Sequence, residues 1–385
     1  MTDSVAPWTC PFCPLLCDGF QLDAGPDGLT LKGSDCPVAR TALARFGAPT
    51  AAATLFGQPC DLDQALAAAA RLLSTSRQPL FGGLGTDVAA ARALYALADA
   101  TGAICDAARG EPLMQGVRAL QDRGGFTLTL AELRTRADLV VSLTGDPTPR
   151  LPEFLPRAGL APDDERWRVL DDGGDPFGSI ARLAALVEGR ALADAPPALL
   201  ALAQRLLAAR YAVLVYEPAR LPAQGALFIE MLQRVVGTLN RSTRAAACPL
   251  GGGDGASTAN QVFTWLSGLP LRSHKGPHGL EHEGQRFGAQ ALLDDAAVDL
   301  LLWVASFGSE APAPATRLPR IVIGHATLAD AGADVFIPVA TPGIDHPGHL
   351  FRTDGVVLMP LHAARQPSLP SAAEVLQRLR IEVTA

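Results

Sequence analysis

The sequence predicts an α/β protein: two doubly wound, mainly parallel α/β domains plus a small N-terminal Cys-containing β-rich domain. Three observations predict it. Continuous apolar runs such as Leu139–Leu143 and Leu300–Val304 alternate with segments of helical periodicity, as expected of parallel strands covered on both faces by crossover helices. An Asp followed by an apolar run recurs at Ala137–Val141, Val298–Leu302 and Ala333–Ile337, each time at the mouth of a presumed strand. Four of the seven cysteines, Cys10, Cys13, Cys17 and Cys36, form a C-x2-C-x3-C-x18-C pattern near the N-terminus.

The elements follow in order. Residues 1–55 are rich in Cys, Pro and Gly, with short alternating runs at Gly19–Leu22 and Leu29–Leu31, and read as the small β-rich domain. Residues 56–195 form the first α/β domain. There a helix at Leu62–Leu73 is capped by Asp61 or Asp63, and a strand at Pro79–Phe81 leads through GGLGTD into a helix over 88–100. Strands at Ala103–Cys105, Leu139–Leu143 and Trp167–Leu170 follow. Residues 196–385 form the second α/β domain: helix 198–209, strand Ala212–Tyr216, helix 224–237, then strands at Leu300–Val304, Arg320–Ile323 and Val335–Pro338. The linker falls at 187–197, where Ala, Asp and Pro concentrate, and Pro312–Pro314 is a loop.

Composition narrows the function. Hydrophobic residues make up 48% of the 385 and charged residues 18%, which describes a large core. The net charge of −7 argues against a nucleic-acid surface. The opening MTDSVAPWTC has no apolar leader segment, and no run of uncharged apolar residues reaches membrane-spanning length. The expected location is cytoplasmic, where clustered cysteines more often bind metal than pair as disulfides.

Several constellations could carry chemistry. Four converging thiolates suit a [4Fe–4S] cluster or a Zn²⁺ ion, and buried free thiols are the plainer alternative. GGLGTD, with Gly82, Gly83 and Gly85, follows a strand and opens a helix, a context for phosphate or for a tight turn. The bare run Gly251–Gly255, with Gly252 and Gly253, suits close approach of a ligand or a flexible connection. His274, His278 and His282 are separated by Gly276, Pro277 and Gly279, so they read as a solvated loop. His346 and His349 lie in a loop after a buried strand, where α/β proteins bind ligands. No G-x-S-x-G elbow, P-loop or H-E-x-x-H motif occurs.

Taken together, CPFCPLLCDGF (10–20) with Cys36, PLFGGLGTDVAAARAL, ALQDRGGFTLTLAEL (119–133), ADLVVSLTGDPTPRLPEFLPR (137–157), NQVFTWLSGLPL (260–271) and ADVFIPVATPGIDHPGHLFRTDGVV (333–357) resemble the B subunit of formylmethanofuran dehydrogenase. That family is related to the molybdopterin/tungstopterin oxidoreductases. The resemblance implies a [4Fe–4S] cluster on the four cysteines near a pterin-bound tungsten or molybdenum. That metal is ligated by a Cys or selenocysteine, usually followed by His, between the Asp matching Asp106 and the ALQD segment. Here the interval Ala107–Arg118 holds neither Cys nor His, and Glu111 is its only carboxylate. The chain is also short for a full pterin-binding subunit, for which the resemblance implies a further β-barrel domain, as a C-terminal extension or a separate subunit. It therefore resembles more nearly the B subunit of the formyltransferase/hydrolase complex of methylotrophic bacteria.

That resemblance implies a non-catalytic structural subunit. Its complex moves a formyl group between tetrahydromethanopterin and methylofuran and hydrolyses it to formate, in formaldehyde oxidation. The implied partners are a hydrolase A subunit, a scaffold C subunit and a formyltransferase D subunit, with no nucleic acid and no membrane. No tungsten- or molybdenum-pterin is expected. Gly82, Gly83, Gly85, Asp106, Gly252, Gly253, His346, His349 and Arg352 would line a vestigial cofactor cavity, collapsed or filled by side chains. The four cysteines would hold [4Fe–4S], Zn or nothing. The alternative is an active tungsten/molybdenum-pterin dehydrogenase subunit with a [4Fe–4S] cluster.

Overall fold

A computed structural model of the chain describes residues 7–25, 28–47, 52–308, 312–329 and 332–385. Residues 1–6, part of the segment read as carrying no secretory leader, lie outside them. Along the chain, the Cys segment carries a hairpin of β1 (Gln21–Gly25) and β2 (Gly28–Lys32), followed by α1 (Pro37–Leu43). Next come β3 (Ala53–Leu55), β4 (Gln58–Cys60), α2 (Leu62–Thr75), β5 (Pro79–Gly85), α3 (Val88–Thr101) and β6 (Ile104–Cys105). The middle of the chain forms α4 (Gly110–Arg123), α5 (Leu130–Arg136), β7 (Leu139–Ser142), α6 (Phe154–Ala158), β8 (Trp167–Val169) and α7 (Pro176–Val187). It continues with α8 (Pro197–Ala208), β9 (Tyr211–Tyr216), α9 (Gly225–Leu239) and β10 (Arg244–Pro249). The remainder is α10 (Ala256–Ser267), β11 (Ser273–Gly276), β12 (Gly279–His282), α11 (Ala289–Asp294), β13 (Leu300–Ala305), β14 (Arg320–Gly324), β15 (Val335–Pro338), β16 (Gly348–Phe351), β17 (Leu358–Leu361) and α12 (Ala372–Thr384).

Local chemistry explains the helix starts. Asp61 and Gln64 form a capping box on α2, as do Ser371 and Glu374 on α12, while Asp87 accepts from the Ala90 N–H to cap α3. At the other end of α3, Gly102 adopts φ +68°, the left-handed conformation that closes a helix.

The strands build two large sheets. One has nine strands in the order β12-β11-β6-β5-β13-β14-β15-β3-β4. Its centre, β6 to β15, is parallel, and antiparallel hairpins cover both edges. The other is wholly parallel in the order β10-β9-β7-β8. The fold class expected from the sequence is thus present. The domain division is not the linear one drawn at 1–55, 56–195 and 196–385. The chain forms two compact units, 1–110 with 252–385, and 111–251. The reason is strand pairing: β13 aligns beside β5, Trp303 opposite Gly82, so a late strand completes an early sheet. The Ala-, Asp- and Pro-rich stretch at 188–197 joins α7 to α8 inside the second unit.

The repeated Asp before each strand has a structural role. Asp138 accepts from the backbone N–H of Arg210 (3.0 Å) and Tyr211 (2.8 Å), Asp299 from Arg77 (2.8 Å) and Gln78 (3.2 Å), and Asp334 from Arg320 (2.7 Å). Each carboxylate ties the start of its own strand to the start of the parallel neighbour, fixing register where the ladder begins. The cores lie on the sheet faces. Leu301, Trp303, Val322 and Phe336 pack on one face of the large sheet, and Leu139, Val141, Leu214, Phe228 and Leu232 lie in the core of the second unit. We predict that Asp299→Ala lowers stability by about 1 kcal/mol, because two N–H groups at the strand start lose their acceptor. Phe336→Ala, which empties a fully buried site, costs about 3–5 kcal/mol. Urea unfolding midpoints of the two variants check both values.

Candidate functional site

The nine-stranded sheet reverses its strand order between β5 and β13, since β6 extends it on one side and β13 to β15 on the other. In open α/β sheets the ligand crevice lies beyond the carboxyl ends of strands at such a reversal. Here those ends are Gly85-Thr86-Asp87, Ala305-Ser306-Phe307 and Gly324-His325.

Glycines bring elements of the chain into close contact around this region. A Cβ on Gly82 would fall 2.7 Å from the Trp303 ring, and one on Gly83, at φ +78°, would fall 2.6 Å from the Val304 carbonyl and 2.9 Å from the same ring. The glycines of β5 therefore make room for an indole of the neighbouring strand. Gly255 packs on the backbone of Thr86, Gly252 on Ser257, Gly253 on Pro14 and Gly348 on the Asp87 carboxylate. The two glycine-rich segments thus serve close contact between elements of the same chain. The N-terminus of α3, a position suited to an anion, already holds Asp87.

The hydroxyls here are satisfied internally. Ser306 Oγ donates to Thr86 Oγ1 (3.3 Å), the Ser306 N–H donates to the Gly85 carbonyl (2.7 Å), and Thr341 Oγ1 donates to the Ser306 carbonyl (2.7 Å). Asp345 accepts from the Thr341 N–H (2.8 Å) and pairs with Arg365 (2.6 Å). The Trp303 indole N–H is buried without an acceptor among the described residues.

The sequence-predicted residues separate into three groups. His346, Gly348 and His349 come beside Asp87, whose carboxyl is raised by burial although both imidazoles pull it down. Asp106 follows β6 beside the glycines of β5, its N–H donating to the Phe81 carbonyl (3.0 Å). It pairs with Arg272 (3.2 Å) and accepts the Ala289 N–H (2.8 Å). Burial pushes its carboxyl above the ordinary range while Arg272 opposes the shift. Arg352 is buried and paired with the equally buried Asp354 (2.5 Å), so its guanidinium is held within its own loop. The histidines read as a solvated loop instead form a hairpin, His274 on β11 and His282 on β12. Alternation of short polar residues about a Pro-His-Gly turn conceals strands that carry no apolar signature.

The Cys segment lies against the same region. Trp8 Nε1 donates to the Gly343 carbonyl (2.7 Å), the Thr353 N–H donates to the Pro14 carbonyl (2.9 Å), and Leu16 packs with Phe307, Leu350, Met359 and Leu361. Cys10, Cys17 and Cys36 are buried and Cys13 is half-buried. Burial, reinforced by the neighbouring thiols, raises Cys10 well above its ordinary value, and burial with Cys36 raises Cys13 to about 11. Among the described residues no group of three or more His, Cys, Asp or Glu is disposed to hold a metal ion. Cys13, Cys17 and Cys36 all lie near enough to act on Cys10 electrostatically, and the interval 107–118 holds Glu111 but no Cys or His.

Sequence reasoning missed Trp303, Thr86, Ser306 and His325. Trp303 reads as core in an apolar run, and only register shows that it faces Gly82. His325 is buried, packs edge-on to Phe46 (4.8 Å) and accepts the Thr327 N–H at Nδ1 (3.2 Å). Burial first, then Arg45 and Arg365, lowers it to about 4, with Asp345 opposing.

No family model matches the chain. It is 33% identical over 357 residues to the Fhc B subunit of the formyltransferase/hydrolase complex of Methylorubrum extorquens, an alignment covering 86% of this chain and 97% of that protein. It is 25% identical over 395 residues to the B subunit of the tungsten-containing formylmethanofuran dehydrogenase 2 of Methanocaldococcus jannaschii, covering 90% and 91% of the two chains. A chain of the crystal structure of the M. extorquens formyltransferase/hydrolase complex with methylofuran superposes with a TM-score of 0.75. That match is 31% identical and covers 86% of this chain and 99% of that one.

The His325 environment gives a pH prediction. The folded state binds its proton only near pH 4 and the unfolded chain near 6.5, so unfolding takes up a proton between them. Stability is full above about pH 6.5 and falls as pH drops towards 4, by on the order of 3 kcal/mol. His325→Asn flattens that part of the pH dependence in urea unfolding between about pH 7 and pH 4.5.

Proposed function

The chain belongs to the family of formyltransferase/hydrolase complex B subunits, and from that premise we propose that it is a non-catalytic structural subunit of such a complex. In this reading it assembles with hydrolase, scaffold and formyltransferase subunits, which carry the one-carbon chemistry linked to tetrahydromethanopterin and methylofuran. It contributes a rigid α/β body and carries no tungsten- or molybdenum-pterin of its own.

The observation that best supports this reading is the packed edge of the nine-stranded sheet. Trp303 covers Gly82 and Gly83 at the strand-order reversal, and Pro14 and Ser257 meet Gly253 and Gly252. Close packing of this kind leaves little room for a bound group beside these glycines. Trp8, Pro14 and Leu16 tie the N-terminal segment onto that edge; a cluster or Zn²⁺ on the four cysteines would serve folding of the segment alone. No helix of the described residues is long and apolar enough to cross a membrane.

A second reading, an active dehydrogenase subunit, is favoured by the 25% and 24% identities to tungsten-containing formylmethanofuran dehydrogenase B subunits. Co-expression separates assembly from chemistry. Under the structural reading the chain purifies in fixed ratio with the three partner subunits. Cys13→Ser lowers the melting temperature of the N-terminal segment while formyl transfer and hydrolysis in the assembled complex persist. A chain that elutes alone, or an intact mutant complex without turnover, contradicts it.

A further inference from the structure

The second unit contains a cavity of about 290 Å³ that a purely structural role does not use. Its walls are Pro152, Leu155, Pro156, Leu160 and Trp167, and its polar rim is Asp146 and Thr148. Asp146 leaves the sheet at the carboxyl end of β7. The strand order reverses between β7 and β9, because β8 extends one side and β9 and β10 the other. The cavity itself lies in the connection from β7 to β8, with Trp167 at the amino end of β8 opposite Val140.

We propose that this cavity binds a small organic ammonium ion: one ring or short apolar chain carrying a primary amine. The size admits a single ring with a short tail, at the lower end of ligand-pocket volumes. The wall is apolar, with the Trp167 indole held in place against Phe154 (ring centroids 5.8 Å), a surface that attracts cations as well as apolar groups. The rim supplies the charge. Asp146 is exposed, and its carboxylate accepts from the N–H and Oγ1 of Thr148, both at 2.9 Å, which fixes its orientation. The nearest cation does not neutralise it. Arg150 donates from Nε to Glu217 (2.9 Å) and from Nη2 to Glu217 and to the Asp146 backbone carbonyl (2.8 Å). Asp146, Arg150 and Glu217 together carry one negative charge. The adjoining segment Pro162–Trp167 adds Asp163, Asp164 and Glu165 against Arg166, so the surroundings repel anions.

Titration of the full-length protein with benzylamine at about pH 7, where the amine is protonated, tests the site by tryptophan fluorescence and saturation-transfer NMR. Benzyl alcohol, which has the same ring and no charge, is the control probe. The expected result is binding of benzylammonium about five- to tenfold tighter than benzyl alcohol. Asp146→Asn removes that preference and leaves benzyl alcohol binding unchanged. Leu160→Trp, which fills the cavity, abolishes both while circular dichroism stays native; should it not fold, Leu155→Phe gives the same test. Equal binding of the two probes, a preference that survives Asp146→Asn, or no detectable binding of either overturns the proposal.

Discussion

The fold of the larger unit depends on one contact, the Trp303 indole lying across Gly82 and Gly83. Two adjacent parallel strands are a fixed distance apart, so a side chain as large as Trp can lie flat over its neighbour only where that neighbour lacks a Cβ. The glycines of β5 meet this requirement. Because β13 follows β5 only after the whole of the second unit in sequence, the same contact also records which strand belongs beside which. Replacement of either glycine would push on the ring or on the Val304 carbonyl at distances real Cβ atoms do not occupy.

From that contact the closure of the edge follows. With the indole seated, the ends of β5 and β13 are close enough for Ser306 and Thr86 to hydrogen-bond, and Thr341 and Asp345 complete the ring of satisfied polar groups. The Cys segment then adds an apolar plug through Leu16 and a polar tie through Trp8. Buried hydroxyls and carboxylates partnered in this way favour one unique packing over several.

Much of this was legible in the sequence. Continuous apolar runs placed β7, β9, β13, β14 and β15, and the cap Asp61 lies where residue type and spacing predict. The glycine-rich segments and the 333–357 block did come together at one sheet edge. What escaped was pairing information. The Asp-apolar repeat gives no sign that its carboxylates clamp the neighbouring strand, since the partners Arg210, Arg77 and Arg320 are set by topology. The same ignorance of pairing put a domain boundary at 187–197. The hairpin of β11 and β12 was invisible because His274, Lys275, Glu281 and His282 have the composition of a loop.

Under the structural reading, the resemblance to tungsten enzymes is one of architecture, with the metal site replaced by Trp303, Pro14 and the loop after β15. Elemental analysis of the anoxically purified complex by mass spectrometry tests this most directly. The expected result is tungsten and molybdenum far below one atom per chain, with the crevice between β5 and β13 closed by its own side chains. One equivalent of either metal in the assembled complex would contradict it.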